Sequence, residues 1–235
     1  MTTRTASILE AAIKEYIRSG QPVSSRELEK QHDFGVKEAT IRNELNRLTK
    51  DGFLAQLHTS GGRVPTDKGY QFFVGKTLDN VASSNKILNQ PRYSRLADNL
   101  RKDSLRDFVD AFSNEVKLLG VGQREKEKTI YKSGLDELFV RLDLETKSEF
   151  QEIVRDFEML DERFDNLKNK IFRSLPEPQV FIGKKSPITD SENLSVIMDS
   201  YDIGGHKVLI AIIGPKRMDY NKNFNLLKLL HEYDE

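Results

Sequence analysis

The sequence predicts an α+β fold, and the spacing of its apolar residues is the main reason. Apolar residues recur at helical spacing in several long segments, which lie within residues 3–78, 94–119, 135–142 and 148–174. Three shorter apolar runs have the length and composition of strands: Gln179–Ile182, Leu194–Met198 and Lys207–Ile213. The last two runs flank a glycine-rich turn at residues 202–206, so we expect a small antiparallel sheet.

The first two helices are predicted from an apolar stripe and from capping residues. A helix over about Thr3–Ser19 places six apolar residues on one face: Ile8, Leu9, Ala12, Ile13, Tyr16 and Ile17. Gly20 follows as a stop signal. A second helix is expected over Arg26–His32, with Ser24 or Ser25 as its N-cap. Residues 33–35 then form a turn.

The third helix is expected to begin near Val36 or Lys37 and to end at Asp51 and Gly52. Its aliphatic residues Ile41, Leu45 and Leu48 fall at positions i, i+4 and i+7, so they should face the core. The opposite face then carries a mostly polar set of residues: Ala39, Thr40, Arg42, Asn43, Asn46 and Arg47.

A β-hairpin is predicted to follow the third helix. Phe53–Leu57 would be its first strand, and Arg63–Val64 its short return strand. Its polar tip consists of His58, Thr59, Ser60, Gly61, Gly62 and Arg63. Thr66 is expected to cap a fourth helix that runs to about Leu78.

This order of elements has the form of a winged helix-turn-helix, a DNA-binding arrangement. Arg42 and Arg47 can each donate paired hydrogen bonds to guanine, and Asn43 or Asn46 can pair with adenine. The hairpin beside them is placed to grip phosphate or to enter a minor groove. The alternative is that these are ordinary solvated residues on a helix face.

The predicted DNA-binding surface combines the third helix, the start of the second helix and the hairpin. Its residues are Ser24, Ser25, Lys37, Thr40, Arg42, Asn43, Asn46, Arg47, His58, Thr59, Ser60 and Arg63. We interpret Thr40 and Ser25 as phosphate contacts or caps rather than as base readers. Arg63 and His58 are expected to flank the wing, and a purely structural role in the turn remains open for His58.

The remainder of the chain divides into a linker, an amphipathic helix and a second module. Residues 79–93 contain Ser83-Ser84-Asn85 and Gln90-Pro91, which disfavour regular structure and indicate a linker. The helix predicted over residues 94–119 either packs on a neighbouring subunit or packs within its own chain. The second module is expected to add a short strand at residues 129–131, helices over residues 135–142 and 148–174, and a final helix over Tyr220–His231.

Composition narrows the function classes without naming a partner. The chain has 37 basic and 37 acidic side chains, so DNA affinity must come from local charge geometry. Its longest apolar run, Val208–Ile213, is too short to cross a bilayer. The amino terminus has no signal-peptide core, because charged residues interrupt its apolar residues. Cysteine is absent, which excludes disulfides and thiolate metal sites and agrees with a cytoplasmic location.

The sequence shows no catalytic or cofactor-binding pattern. It contains neither a P-loop nor a GxGxxG motif, and its four histidines lack metal-ligand spacing. The segment Arg217–Tyr220 can line a small-molecule cleft, but we favour its simpler interpretation as the start of the last helix. Phe150, Phe157 and Phe164 are seven residues apart, which indicates a core or a dimer seam. We therefore expect a protein that is not an enzyme and has no cofactor.

Several segments resemble the HrcA family of bacterial heat-inducible transcription repressors. In the first module these segments are Gln21–Ser25 with Glu27 and Leu28, Ala39–Leu45, and the run HTSGGRVPTDKGY at residues 58–70. In the second module they are Ser133–Leu135 and Ile213–Tyr220. Lys37 and Glu38 depart from the family, which commonly has small capping hydroxyls there.

The resemblance implies a fold, a function and partners. It implies a winged-helix DNA-binding domain over residues 1–79 and a GAF-like domain over residues 128–235, joined by a linker and amphipathic helix at residues 80–127. It implies a dimer that represses chaperone genes from an inverted-repeat operator, is helped by a GroEL-type chaperonin and is released on heat stress. Family members are usually longer, so the resemblance implies a shortened form with a truncated GAF-like domain.

Two rival functions remain from the residues themselves. One is a winged-helix transcription regulator whose second module senses a small molecule. The other is a winged helix that makes only protein contacts. Ligand-dependent release of DNA would favour the first rival, and a stable protein partner without DNA binding would favour the second.

Overall fold

The structure, a computed structural model, describes residues 1–58, 61–82, 96, 104–171, 178–203 and 205–231. The chain forms two units. The first contains Met1–Asp79 and Arg217–Asp219, and the second contains Asn80–Lys216 and Tyr220–Glu235. Both units mix helices with antiparallel strands, which confirms the predicted combination of α and β elements.

Three helices form the base of the first unit. They are α1 (Thr3–Ser19), α2 (Ser25–Gln31) and α3 (Glu38–Lys50), so the predicted helices are confirmed with ends that differ by at most two residues. The side chain of Thr2 caps α1 and that of Ser24 caps α2. The predicted apolar stripe of α3 is fully buried, and α3 packs against both α1 and α2.

A short hairpin and a fourth helix complete the first unit. The strands are β1 (Leu54–Ala55) and β2 (Val64–Pro65), and α4 spans Asp67–Ala82. The predicted first strand, Phe53–Leu57, is therefore longer than the observed one. The predicted second strand, Arg63–Val64, is shifted along the chain. The shift occurs because the backbone of Arg63 pairs with Val23 instead, through N–H···O bonds of 2.9 and 2.8 Å.

Two glycines allow the backbone to approach its neighbours closely around this hairpin. A Cβ atom on Gly62 would lie 2.5 Å from the carbonyl carbon of Pro22. A Cβ atom on Gly69 would lie 2.3 Å from the carbonyl oxygen of Phe53. Both distances are far below van der Waals contact, so neither position accepts a larger residue. Gly62 was predicted only as part of a turn, but its role is to let the hairpin close on Pro22 and Val23.

The region between the units was only partly predicted correctly. Asp79–Ala82 belong to α4 and not to a linker. Residues 83–95 and 97–103, which contain most of the predicted linker and the beginning of the predicted amphipathic helix, lie outside the described residues. Within the predicted helix, the structure describes helical conformation at Leu96 and in α5 (Leu105–Val116).

The second unit is built on a five-stranded antiparallel sheet. Its strands are β3 (Leu119–Arg124), β4 (Ile130–Ser133), β5 (Gln179–Ile182), β6 (Leu194–Ile203) and β7 (His206–Pro215), in the spatial order β4-β3-β7-β6-β5. The prediction that a helix continues through Leu119 is wrong, because Leu119 begins β3. This strand pairs with β7 from Leu119↔Ile213 to Arg124↔Val208. The sequence missed it because two glycines interrupt its apolar pattern.

Helices cover both faces of this sheet. On one face, α6 (Leu135–Arg141) and α7 (Lys147–Ile171) share an apolar core with the strands. On the other face, α5 packs on β3, and α8 (Tyr220–His231) packs on β6. Because neither face meets water, β7 is a continuous apolar run rather than an alternating one.

The internal packing answers two questions that the sequence left open. The apolar residues Leu105, Phe108, Phe112 and Val116 of α5 are all buried within the chain. Of the three phenylalanines spaced along α7, Phe164 is fully buried, Phe157 packs against the core and Phe150 is exposed. The described part of the amphipathic helix therefore packs within its own chain, and two of the three phenylalanines belong to the core.

We expect Gly62→Ala to lower the free energy of unfolding by about 2 kcal/mol or more, because the added methyl group meets backbone atoms that cannot move aside. Urea unfolding of the chain would measure the change. The matched control is Gly75→Ala in α4, where a Cβ atom meets nothing within 4 Å. That control should raise stability by about 0.5–1 kcal/mol. Equal effects at the two positions would contradict the close-approach role.

Candidate nucleic-acid interface

The exposed face of α3 is the centre of the candidate interface. Its aliphatic side is buried at Ile41, Leu45 and Leu48. The opposite side exposes the predicted polar residues Arg42, Asn43, Asn46 and Arg47, together with the preceding Lys37. Thr40 is half-buried at the edge of this face. Burial of one side therefore fixes which residues the helix presents outward.

The two serines at the start of α2 have different structural roles. Ser24 is the N-cap: its hydroxyl accepts from the Glu27 N–H (3.2 Å), and the Glu27 carboxylate accepts from the Ser24 N–H (2.8 Å). The Glu27 carboxylate also accepts from the Ser24 hydroxyl at 2.8 Å, and the hydrogen bonds from the Ser24 N–H and hydroxyl lower the pKa of Glu27. Ser25 is buried, and its hydroxyl donates to Glu38 Oε1 at 3.1 Å. Ser25 is therefore turned toward α3 and away from solvent.

Glu38, at the first turn of α3, was not among the predicted site residues. Its Oε1 atom accepts from Ser25 and also forms an ion pair with Arg42 Nη2. The hydrogen bond from Arg42, and then that from Ser25, lower the pKa of Glu38. The side chain of Arg42 is 62% exposed, so this pair contributes little to the free energy of folding.

The other cations of this face are more loosely held. Arg47 Nε lies 3.9 Å from Asp51 Oδ2, and both side chains are more than half exposed. Lys37 precedes α3 as its N-cap residue but forms no capping hydrogen bond through its side chain. A surface with such weakly paired cations can bind an anion without first breaking a strong interaction.

Arg63 connects the hairpin to α3. Its guanidinium donates to Asn46 Oδ1 at 2.7 Å, to Thr49 Oγ1 at 3.1 Å and to the Gly61 carbonyl at 3.2 Å. Arg63 is half-buried, so it lies against α3 rather than extending from the tip of the hairpin. The sequence did not reveal the part played by Thr49. The signal that could have found it is the three-residue spacing of Asn46 and Thr49 on one helix face.

The tip of the hairpin is described only in part. His58 is exposed, and its carbonyl accepts from the Gly61 N–H at 2.9 Å, which closes the turn. Leu57, beside it, is 63% exposed. Thr59 and Ser60 lie outside the described residues.

The end of the HTSGGRVPTDKGY run holds the base of the hairpin. The Thr66 hydroxyl donates to the Gly52 carbonyl (2.7 Å) and accepts from the Gly69 N–H (3.2 Å). Lys68 Nζ donates to the Asp51 carbonyl at 2.8 Å and lies 4.4 Å from the centre of the Phe53 ring. These contacts join the end of α3 to the start of α4, so the run fixes the hairpin's position relative to α3.

The described residues give little support for other kinds of site. No group of three or more His, Asp or Glu side chains there is arranged to hold a metal ion. None of the described helices is both long and apolar enough to span a membrane. In the segment Arg217–Tyr220, Met218 and Tyr220 are buried. The Tyr220 hydroxyl bonds to the Lys216 carbonyl at 2.8 Å, in agreement with the structural interpretation of that segment.

We expect Arg63→Lys to loosen the hairpin although it keeps the charge, because a single ammonium group cannot reach three separate acceptors. Hydrogen exchange at the Val23 and Arg63 amides, which pair with each other, should become about tenfold faster, corresponding to the loss of about 1.4 kcal/mol of local stability. Arg47→Lys is the control, since that side chain is exposed and its pair is long. Unchanged exchange in Arg63→Lys would contradict the connecting role.

A family profile and several relatives match this chain. The profile described as "HrcA protein C terminal domain" matches residues 70–223. Proteins named "Heat-inducible transcription repressor HrcA" are similar to parts of the chain. The one from Bifidobacterium longum is 50% identical over 82 residues, which are 35% of this chain and 22% of that protein.

Two further relatives have the same name. The protein from Thermoanaerobacter sp. is 39% identical over 116 residues, 49% of this chain and 32% of that protein. The protein from Clostridium tetani is 48% identical over 101 residues, 40% of this chain and 29% of that protein. The chain thus spans about a fifth to a third of the length of the relatives that it matches.

One solved structure shares the fold. "Crystal structure of a hypothetical protein at 2.2 A resolution" superposes with a TM-score of 0.77 and 16% identity, covering 99% of this chain and 98% of that one. Because the profile match extends over more than half of the sequence, the chain belongs to the HrcA family.

Proposed function

We propose that this chain is a cytoplasmic DNA-binding transcriptional repressor of heat-shock genes, which acts as a dimer on an inverted-repeat operator. The observation that carries the proposal is the outward face of α3, where Arg42, Asn43, Asn46 and Arg47 are exposed. The relatives are named heat-inducible transcription repressors, which supports the proposed role in heat-shock regulation. In this proposal the first unit, Met1–Asp79, is a winged helix-turn-helix.

The chemistry of α3 suits base recognition in the major groove. The groove is about 12 Å wide and admits one α-helix. Arginine can bind guanine through two parallel hydrogen bonds, and asparagine can bind adenine in the same manner. We assign these roles to Arg42 and Arg47 and to Asn43 and Asn46. Because the Asn46 oxygen accepts from Arg63, its amide nitrogen is the freer group for a base.

The residues around α3 suit contact with the DNA backbone. We assign phosphate contacts to Lys37, Thr40 and the hairpin residues His58, Thr59 and Ser60. Ser24 and Ser25 have the supporting roles of cap and internal hydrogen-bond donor. Arg63 positions the hairpin through its bonds to α3.

A dimer is a physical requirement of the proposal. Residues 1–79 contain only two more basic than acidic side chains, so a single copy makes few phosphate contacts. Non-specific affinity of a single domain is about 10⁻⁴ to 10⁻⁶ M at physiological salt. Two connected copies add their contacts through effective concentration, and two-fold symmetry then selects an inverted repeat.

The second unit supplies regulation in this proposal. We infer that it is the GAF-like domain of the family, and its antiparallel sheet with helices on both faces supports that inference. The proposal includes release on heat stress and help from a GroEL-type chaperonin, as the resemblance to the family implies. Repression would occur by occlusion, since a bound dimer covers the promoter.

For the alternative, a small-molecule sensor, one cavity in the second unit offers little room. A cavity of about 10 Å³ lies between the sheet and helices α6 and α7. It is lined mostly by Leu, Ile and Phe side chains, and a volume of about 10–15 Å³ holds one water molecule. Thus a metabolite would have to open this core before it could bind there.

We expect Arg42→Ala and Asn43→Ala to weaken binding to the selected operator by about 5- to 150-fold, since a good paired base contact is worth about 1–3 kcal/mol. Their free energy of unfolding should change by less than about 0.5 kcal/mol, because both side chains are exposed. The operator is first selected from a random duplex pool, and gel shifts at fixed salt then measure affinity.

The matched control is Arg18→Ala, since Arg18 is also an exposed arginine (67%) paired with a glutamate on its own helix. It removes the same charge from α1. If Arg18→Ala weakened operator binding as much as Arg42→Ala, general charge and not base contact would explain the loss. Selection of no sequence from the pool by the unaltered chain would overturn the proposed function.

A further inference from the structure

A carboxylate lies at the edge of the proposed DNA-binding face. Glu38 is the first residue of α3, where the partial positive charge of the helix would otherwise attract a phosphate. Lys37, the N-cap residue directly before it, makes no capping hydrogen bond through its side chain. A DNA-binding surface with an acidic group at this position calls for a physical reason.

The contacts of Glu38 provide that reason. Its Oε1 atom accepts from Ser25 Oγ at 3.1 Å and also contacts Arg42 Nη2. Arginine has five N–H donors in a planar fork, and the pair with Glu38 engages the Nη2 group. The other donors can therefore reach the two acceptors of a guanine while Glu38 holds one side of the guanidinium.

Ser25 is itself firmly placed. It is 8% exposed and is the first residue of α2, directly after the capping box of Ser24 and Glu27. The capping box fixes the backbone at the start of α2, and Ser25 then aims its hydroxyl at Glu38. The hydrogen bonds from Arg42 and Ser25 lower the pKa of Glu38, because they favour its charged form. A continuous set of contacts thus runs from the α2 cap through Ser25 and Glu38 to Arg42.

We propose that Glu38 is a specificity-determining positioning residue, which orients Arg42 for base recognition and opposes phosphate binding at the start of α3. The inference rests on the function proposed above. An arginine without this partner would be free to bind any nearby phosphate, which raises affinity for every sequence alike. Glu38 therefore lowers non-specific binding and raises the ratio of specific to non-specific affinity.

The experiment measures that ratio. The probes are the duplex that the unaltered chain selects from a random pool and a scrambled duplex of equal length. Gel shifts at one salt concentration give both affinities for the unaltered chain and for Glu38→Ala, Glu38→Asp and Ser25→Ala. Glu10→Ala on α1 is the control for loss of one negative charge. Thermal unfolding establishes that each variant is folded.

We expect Glu38→Ala to bind scrambled DNA more tightly and to lower the affinity ratio about tenfold, the order of one paired base contact. Glu38→Asp keeps the charge but is shorter by one methylene group. It should lower the ratio while leaving scrambled binding unchanged. Ser25→Ala changes no charge and should also lower the ratio of specific to non-specific affinity. If Ser25→Ala fails to fold, the affinity ratio of Glu38→Asp tests the proposal by itself.

A repeated selection distinguishes positioning from direct contact. With Glu38→Asp, preference should relax at the same base pair that Arg42→Ala relaxes. Relaxation at a different base pair would mean that Glu38 reads a base itself, which overturns the positioning role. An unchanged ratio in Glu38→Asp, or an equal fall in Glu10→Ala, would also overturn it. If the unaltered chain selects no sequence, the proposed function fails and this inference fails with it.

Discussion

The burial of one aliphatic stripe on α3 is the constraint on which the first unit depends. Ile41, Leu45 and Leu48 are at most 3% exposed, and each such side chain contributes about 1.5–3 kcal/mol when it leaves water. With that stripe held against α1 and α2, the helix cannot rotate. Its arginines and asparagines must therefore point outward, so hydrophobic packing on one side decides which residues are available for the proposed base recognition.

The HTSGGRVPTDKGY run shows how a conspicuous motif can be structural in most of its positions. Gly62 and Gly69 allow close backbone approach, Thr66 joins the end of α3 to the start of α4, and Arg63 binds α3. The exposed His58 is left as a candidate for DNA contact. The motif thus places the hairpin beside α3, and α3 supplies the groups that we propose for base recognition.

Polar contacts, not apolar packing, decide how the interface is organised in detail. Buried Ser25, at the start of α2, donates to Glu38 in the first turn of α3. Half-buried Arg63, beside the hairpin, donates to Asn46 in the middle of α3. Such bonds are directional, so they fix the orientation of the polar side chains at this surface. In the second unit Asp156 has a similar task, since it accepts from the Asp190 and Ser191 N–H groups and from Arg163.

The sequence by itself determined most helices, the pairing of β6 with β7 and the outward residues of α3, because periodicity and caps are local signals. The tertiary structure alone decided the rest. It placed β3 between β4 and β7 in the sheet, paired Arg63 with Val23 and brought Glu38 between Ser25 and Arg42. These contacts join elements that are distant in the chain or depend on a particular rotamer, and neither spacing nor composition encodes such geometry.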